Sequence, residues 1–180
     1  MPIKIVITGA PASGKSKFIE RLKIDPRFAD FVFLKELARQ LLQEDPTYRQ
    51  RWSEFHREIY RRQVAREDQL AGNSFITDRG TADAFAFHPE TDADMGTTIE
   101  NEYNRYNGVI QLESTASLGE PYFQHDDIRN ESIEDVLFIE KATTNVWNRH
   151  PNYHLIRADI DMEMKYRIFV QTLVDLIRRL

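Results

Sequence analysis

The sequence of 180 residues predicts an α/β fold in which one sheet of five parallel strands lies between two layers of helices. Two observations support this prediction. Short apolar runs alternate with longer helical patterns, which is typical of βαβ units and of a parallel sheet. The first run, residues 3–8, is almost continuous in Ile and Val, as expected for a strand that is covered on both faces. The length suits one domain, residues 1–180.

Five apolar runs of four to six residues have the composition of buried strands. They lie at residues 3–8, 31–34, 74–77, 109–112 and 153–156. Helical spacing of apolar residues predicts the connecting helices. These lie at residues 15–22, 35–43, 46–72, 92–106, 132–149 and 161–180. The stripe formed by Tyr166, Phe169, Val170, Leu173 and Ile177 makes the last helix a core helix.

Two segments lack this regularity. Residues 80–87 predict a short helix or turn, which ends at His88-Pro89. Residues 113–130 show no clean periodicity and contain Gly119-Glu120-Pro121, so they predict a loop. A loop of this length is often a functional lid, and we expect a lid here, after the fourth strand.

Composition excludes several classes of protein. Lys and Arg total 24 against 29 Asp and Glu, so the formal net charge of −5 argues against a general nucleic-acid binder. The absence of cysteine excludes disulfides, thiolate metal sites and cysteine nucleophiles. No apolar run approaches the roughly 20 residues of a membrane span, so no stable membrane anchor is expected. With a strand starting at residue 3, a cytoplasmic protein is expected.

The segment Gly9-Ala10-Pro11-Ala12-Ser13-Gly14-Lys15-Ser16 matches the P-loop pattern G-x-x-x-x-G-K-[ST] at every specified position. It also follows an apolar strand and precedes a helix, as the pattern requires. Its glycines allow backbone N–H groups to surround phosphate oxygens, and the helix N-terminus adds positive charge. Lys15 is expected to reach the β and γ phosphates and Ser16 to coordinate Mg²⁺. The residues expected to bind the nucleotide are Gly9, Ala12, Ser13, Gly14, Lys15, Ser16, Lys17 and Asp159.

Charged residues also follow the other strands. Because ligands of open α/β sheets bind beyond the carboxyl ends of the strands, these side chains are expected at one edge. They are Lys35, Glu36, Arg39, Asp78, Arg79, Glu113, Arg157 and Asp159. Asp78 is predicted to hold Mg²⁺ through water or to orient an attacking hydroxyl, and the alternative is a solvated aspartate of a turn.

Glu36 is the predicted general base toward an acceptor hydroxyl, and the alternative is a glutamate that merely favours a helix N-terminus. Arg39 either pairs with Glu36 or contacts the acceptor. Arg79 either holds a phosphate or pairs with Asp78. Gln63 is the polar exception on the apolar stripe of its helix, so it either faces the ligand or is satisfied by the protein.

These residues, taken as an ordered set, resemble a known group. Besides the P-loop, the matching segments are Glu36-Leu37-Ala38-Arg39, Ile59-Tyr60-Arg61-Arg62-Gln63 and Asp78-Arg79-Gly80-Thr81-Ala82-Asp83. They look like the AAA-type ATPase/kinase domain of the NadR/Ttd14 group, which includes nicotinamide riboside kinases and is distantly similar to nucleoside and nucleotide kinases. The resemblance implies a three-layer P-loop NTPase fold with a sheet of nucleoside-kinase type.

The resemblance also implies roles for single residues. Lys15 and Ser16 would bind the triphosphate and Mg²⁺, Asp78 would lie near the metal, and Glu36 and Arg39 would lie on the acceptor side. Arg129 matches the position of a lid arginine, and it would bind the nucleotide and act in catalysis with Lys15, Glu36 and Asp78. It is the only arginine of residues 113–130, which also contain Glu120, Asp126 and Asp127.

The expected function is therefore a phosphotransferase that moves the γ-phosphate of Mg·ATP to the hydroxyl of a small, nucleoside-like acceptor. The absence of an N-K-x-D segment favours ATP, and GTP is the alternative nucleotide. A second hypothesis is a regulatory protein or slow NTPase of Ttd14-like type that has no small-molecule acceptor. A third is a module that acts only with another domain or subunit. The sequence leaves the oligomeric state open.

Overall fold

The computed structural model describes residues 1–87, 95–123 and 131–180, and these contain a five-stranded parallel sheet. The strands are β1 (Lys4–Thr8), β2 (Val32–Leu34), β3 (Phe75–Asp78), β4 (Gly108–Leu112) and β5 (Tyr153–Ile156). Their order is β2-β3-β1-β4-β5, and every neighbouring pair is parallel. The predicted fold class is confirmed. β1 is central, so the segment that follows it lies between the ends of β3 and β4.

The helices of the described residues lie between these strands and after the last one. They are α1 (Lys15–Lys23), α2 (Leu37–Glu44), α3 (Trp52–Gln69), α4 (Asp83–Phe87), α5 (Ile99–Tyr103), α6 (Ile133–Trp147) and α7 (Met162–Arg179). None of them combines the length and the apolar character that crossing a membrane would require.

Two predicted helices differ from the observed ones. The helix predicted over 46–72 is divided into a 3-10 turn, Pro46–Gln50, and α3, because Asp45 caps the turn through Thr47 and Arg51 has a non-helical backbone. In the described part of the helix predicted over 92–106, α5 begins only at Ile99, because the Thr98 side chain accepts a hydrogen bond from the Asn101 N–H and caps the helix. Residues 92–94 lie outside the described residues.

The loop predicted after β4 also has some regular structure. Its first part contains a 3-10 turn, Thr115–Leu118, which the Ser114 side chain caps by accepting from the Ala116 N–H. Residues 124–130, and with them the predicted lid residue Arg129, lie outside the described residues. The lid therefore stays a prediction.

The alternation of side chains along β1 explains its continuous apolar sequence. Ile5 and Ile7 are buried in a core that includes α1 and α7, whereas Val6 is buried in a second core with Trp147 of α6. Phe18 of α1 packs against Tyr166 of α7 with ring centroids 5.1 Å apart. Burying each large apolar side chain contributes roughly 2 kcal/mol, so a polar residue on either face of β1 would destabilise one of the two cores.

Gly9 ends β1 where the backbone passes very close to β4. Its φ is +143°, and a Cβ atom at this position would lie 2.3 Å from the carbonyl oxygen of Leu112. No side chain tolerates this distance from a backbone atom, so the first glycine of the P-loop is required by packing as well as by conformation.

We expect Gly9→Ala to lower the free energy of unfolding by about 3 kcal/mol, since it adds both backbone strain and a clash with β4. Gly72→Ala is the matched control, because a Cβ atom there would meet nothing within 4 Å. We expect the control to leave stability unchanged or to raise it by about 0.5 kcal/mol. Urea unfolding followed by circular dichroism measures both, and equal stabilities would contradict the prediction.

Candidate functional site

Three residues of the P-loop have positive φ values, and these turn the backbone so that successive peptide groups surround one centre. Gly9, Ala12 and Gly14 have φ values of +143°, +58° and +89°. Ala12 adopts this conformation although it carries a Cβ atom, a strain of order 1 kcal/mol that is common at functional sites. Gly14 is the N-cap of α1, so the loop leads directly into the positive end of a helix dipole.

Three consecutive P-loop carbonyl groups are held by donors from other parts of the chain. The Pro11 oxygen accepts from the Ser114 hydroxyl at 2.6 Å, and the Ala12 oxygen accepts from the Thr115 N–H at 3.2 Å. The Ser13 oxygen accepts from the Lys165 ammonium at 2.7 Å. In a planar trans peptide the N–H of the following residue points away from the carbonyl. The N–H groups of residues 12–14 therefore point away from these anchors, into the phosphate cradle.

Lys15 and Asp78 meet at the edge of the sheet beside the P-loop. Lys15 Nζ lies 3.8 Å from Asp78 Oδ1, and both side chains are only 7% exposed. Asp78 Oδ1 is buried and has no hydrogen-bond partner among the described residues. Burial raises the pKa of the Asp78 carboxyl, against the opposing effect of Lys15. An oxygen that is buried without a partner beside a phosphate cradle is suited to a metal ligand or its water.

Glu36 stands at the start of α2 and is paired with Arg79, which follows β3. Arg79 Nε lies 3.1 Å from Glu36 Oε1. Burial opposes ionisation of Glu36, but the positive charges of Arg79 and then Lys15 outweigh burial and lower its pKa to about 2. Glu36 is thus a carboxylate at every physiological pH, and it lies within the electrostatic influence of Lys15.

Arg79 is fixed in turn by Asp83. Arg79 Nη1 donates to Asp83 Oδ1 at 3.2 Å, and the backbone of Arg79 is left-handed, with φ of +70°. Asp83 also accepts from the Thr8 hydroxyl at 2.5 Å, the Gly80 N–H at 2.8 Å and the Trp147 indole N–H at 3.1 Å. A buried carboxylate with four donors is rigidly placed, so the Arg79 guanidinium is held in one position toward Glu36.

The structure therefore brings together four of the predicted site residues, Lys15, Glu36, Asp78 and Arg79. Ser16 and Lys17 are exposed at the first turn of α1, beside this group. The predicted alternatives for Arg79 were a phosphate contact or a pair with Asp78, and the observed partners described here are Glu36 and Asp83.

The other predicted site residues have different surroundings. The Gln63 amide donates to Thr77 Oγ1 at 2.9 Å and to the Arg79 carbonyl at 3.3 Å, and its oxygen accepts from Arg66. Gln63 thus supports the Arg79 backbone, and its contact with a substrate stays a prediction. Arg39 is exposed on α2, and its charge contributes to the low pKa of Glu36. Asp159 follows β5 and accepts from the Asp161 N–H at 2.9 Å.

Two residues of this site were missed from the sequence. Lys165 was not singled out, although it falls at helical spacing beside Tyr166 and Phe169 on a stripe that is otherwise apolar. A charged residue on such a stripe is a signal that could have been used. Ser114 lies in the segment predicted as an irregular loop, and nothing in its local pattern indicates a contact with Pro11.

A comparison with protein-family models matches residues 4–164 to the family described as an AAA domain. The match begins with β1 and ends inside α7, so it includes the P-loop, Glu36, Asp78 and Arg79. The match does not identify the narrower NadR/Ttd14 group, so membership of that group stays a prediction. A search of curated proteins finds no match.

The low pKa of Glu36 predicts a pH-dependent contribution to stability. A carboxyl whose pKa falls from its usual 4.5 to about 2 on folding stabilises the protein above about pH 4.5, and this stabilisation is lost as the pH falls toward 2. We expect Glu36→Gln to lower the free energy of unfolding by about 2 kcal/mol at pH 6 and by less at pH 3.

Urea unfolding at pH 6, 4.5 and 3 checks this expectation. Glu134→Gln is the control, because Glu134 is exposed on α6 and should change stability by less than about 0.5 kcal/mol. A stability difference between wild type and Glu36→Gln that stays constant over this pH range would contradict the predicted pairing.

Proposed function

Because the chain belongs to the AAA domain family, a family of P-loop nucleotide-binding proteins, we propose that it is a Mg²⁺-dependent phosphotransferase. The proposed reaction moves the γ-phosphate of ATP to the hydroxyl of a small, nucleoside-like acceptor. One observation carries this proposal: two carboxylates, the half-buried Glu36 and the buried Asp78, both lie under the influence of Lys15 beside the P-loop, and among the described residues only Glu36 forms an ion pair with an arginine.

The triphosphate is bound by the P-loop. The N–H groups of residues 12–14 point into the cradle, and α1 directs its positive end to the same place. Lys15 supplies a full positive charge to the phosphates. In the free protein this charge faces Asp78 at 3.8 Å, a distance longer than a direct hydrogen bond, so Lys15 can approach a phosphate without breaking a short ion pair.

The residues present fit a Mg²⁺ ion. Asp78 offers a buried oxygen that has no hydrogen-bond partner in the described part of the chain, and Ser16 offers a hydroxyl at the first turn of α1. Mg²⁺ in nucleotide sites is commonly held by one or two protein oxygens together with waters and phosphates. When bound, the ion neutralises charge on the β and γ phosphates.

Glu36 is proposed to orient the acceptor hydroxyl. As the bond between the acceptor oxygen and the γ-phosphorus forms, the bond to the β–γ bridging oxygen breaks, ADP leaves, and the hydroxyl proton passes to a Glu36 oxygen. A carboxylate with pKa about 2 is a weak base, so its main contribution is position, which suffices for a loose transition state. Arg79 holds Glu36, Arg39 contacts the acceptor, and Arg129 approaches the transferred phosphoryl group from the lid.

A second candidate is a nucleotide-binding regulatory protein that hydrolyses ATP or GTP slowly and uses no acceptor. The composition of residues 113–130 favours it, because Arg129 is their only arginine and four acidic residues accompany it. Stabilising a transferring phosphoryl group depends on positive charge, and this segment brings little.

The test that separates the two candidates is ADP release from Mg·ATP with and without a panel of nucleosides, nicotinamide riboside and mononucleotides. Under the proposal, one acceptor stimulates ADP release strongly and is recovered as its phosphorylated product. If the chain binds ATP or GTP saturably and no compound stimulates ADP release, the result contradicts the phosphotransferase and supports the regulatory protein.

We expect Glu36→Gln to leave the Kd of Mg·ATP within about twofold and to reduce kcat for acceptor phosphorylation by roughly 100-fold, as for loss of a group that positions the acceptor hydroxyl. The matched control is Glu44→Gln, at the exposed end of the same helix, which should preserve kcat. Isothermal titration and a coupled ADP assay measure the two quantities. An unchanged kcat in Glu36→Gln would remove Glu36 from the reaction.

We expect Asp78→Asn to change ATP binding in opposite directions with and without metal. Without Mg²⁺ the affinity should rise about threefold, because a buried negative charge beside the phosphates is removed. The factor by which Mg²⁺ increases the affinity for ATP should fall by about tenfold, because a metal ligand is lost.

Titrations of ATP in EDTA and in Mg²⁺ check both directions. Asp68→Asn, on the exposed surface of α3, is the control and should match the wild type in both titrations. Full enhancement by Mg²⁺ in Asp78→Asn would show that Asp78 does not hold the metal.

A further inference from the structure

Lys165 is a fully buried lysine directly beneath the P-loop. It lies in the first turn of α7, its exposed fraction is 0%, and its ammonium donates to two backbone carbonyls. These are Ser13 of the P-loop, at 2.7 Å, and Glu113 at the end of β4, at 2.5 Å. One side chain therefore joins the phosphate cradle to the first residue of the predicted lid.

The partners of this ammonium are unusual for a buried charge. Both are neutral carbonyls, and no carboxylate of the described residues lies within ion-pair distance of Lys165. The Glu113 carboxylate accepts hydrogen bonds from the Ala158 N–H at 2.7 Å and from Arg157 at 3.1 Å. Burying a charge without a paired counter-charge is costly, so stability alone does not account for a lysine here.

The contact with Ser13 determines the direction of one cradle N–H group. Because the peptide between Ser13 and Gly14 is planar, holding the Ser13 oxygen toward Lys165 turns the Gly14 N–H to the opposite side, where phosphate would lie. The positive charge of Lys165 also lies behind this peptide, so it would attract an anion held by the N–H groups on the other side without touching it.

We propose that Lys165 is a positioning residue of the nucleotide site, which orients the Gly14 N–H through the Ser13 carbonyl and adds positive charge beneath the phosphates. The proposal rests on the nucleotide binding that the proposed function includes, and not on phosphotransfer. Lys165 follows directly after the region that the family model matches, residues 4–164, so the matched region does not include it.

A charge that is held by neutral groups should respond to the ligand and to pH. Burial lowers the pKa of Lys165 to about 8, with Lys15 acting in the same direction and Glu140, Glu113 and Asp159 acting in the opposite one. A bound triphosphate favours the protonated form, so binding is tightest below about pH 8 and weakens as the pH rises through this value.

The experiment measures the Kd of Mg·ATP between pH 7 and 9.5 for the wild type and for variants of Lys165. The wild-type Kd should rise about tenfold over this range. Lys165→Met, which removes the charge and both hydrogen bonds, should raise Kd at pH 7 at least about tenfold and make it independent of pH. Arg167→Met removes a positive charge from the exposed side of the same helix and should behave as the wild type.

Lys165→Arg is the second variant. It tests the proposal even if Lys165→Met does not fold. It keeps a positive charge throughout the pH range, so its Kd should stay within about threefold of the wild type at pH 7 and should not rise toward pH 9.5. A purely structural lysine would leave the wild-type pH dependence in every variant that folds, and that result would overturn the proposal.

The two proposals fail in different ways. A wild-type chain that binds Mg·ATP and phosphorylates no acceptor overturns the phosphotransferase alone, because Lys165 is tested by binding. Wild-type binding that persists unchanged in Lys165→Met overturns the Lys165 proposal alone. A wild-type chain that binds no nucleotide overturns both.

Discussion

The orientation of the P-loop peptides is the constraint on which the rest of the site depends. N–H groups can surround an anion only if their carbonyl groups point elsewhere and find donors there. Ser114, Thr115 and Lys165 supply those donors from two distant parts of the chain. Sheet order makes this possible, because β4 is hydrogen-bonded to β1 and its following segment runs beside the loop.

The charges at this edge are arranged as pairs of unequal strength. Glu36 and Arg79 neutralise each other at 3.1 Å, whereas Lys15 and Asp78 stand 3.8 Å apart, and Asp78 Oδ1 has no hydrogen-bond partner among the residues that the structure describes. The first pair is a direct ion pair that needs no ligand to complete it. The second pair has no direct hydrogen bond, as expected if Lys15 binds phosphate and Asp78 binds the metal once the nucleotide is present.

The sequence predicted the sheet, the P-loop and the convergence of charged residues because each depends on a local pattern or on a general rule. Continuous apolar runs indicated the strands, and their carboxyl ends located Glu36, Asp78 and Arg79. The pairing of Arg79 with Asp83 could not be predicted, since it depends on the left-handed backbone at Arg79 and on donors from Thr8 and Trp147. Division of the 46–72 helix follows from the Asp45 cap and the non-helical backbone of Arg51, two local features that periodicity does not detect.

The packing of α7 under the P-loop has a consequence for biosynthesis. The cradle residues leave the ribosome before Lys165 and its neighbours Phe169 and Leu173, which complete the core behind them and come more than 150 positions later. Until that helix has emerged, the Ser13 carbonyl lacks its donor and the apolar face of α1 lacks its cover. The nascent chain therefore carries its binding motif before the helix that supports it, and the folded cradle forms only when α7 is available to pack against it.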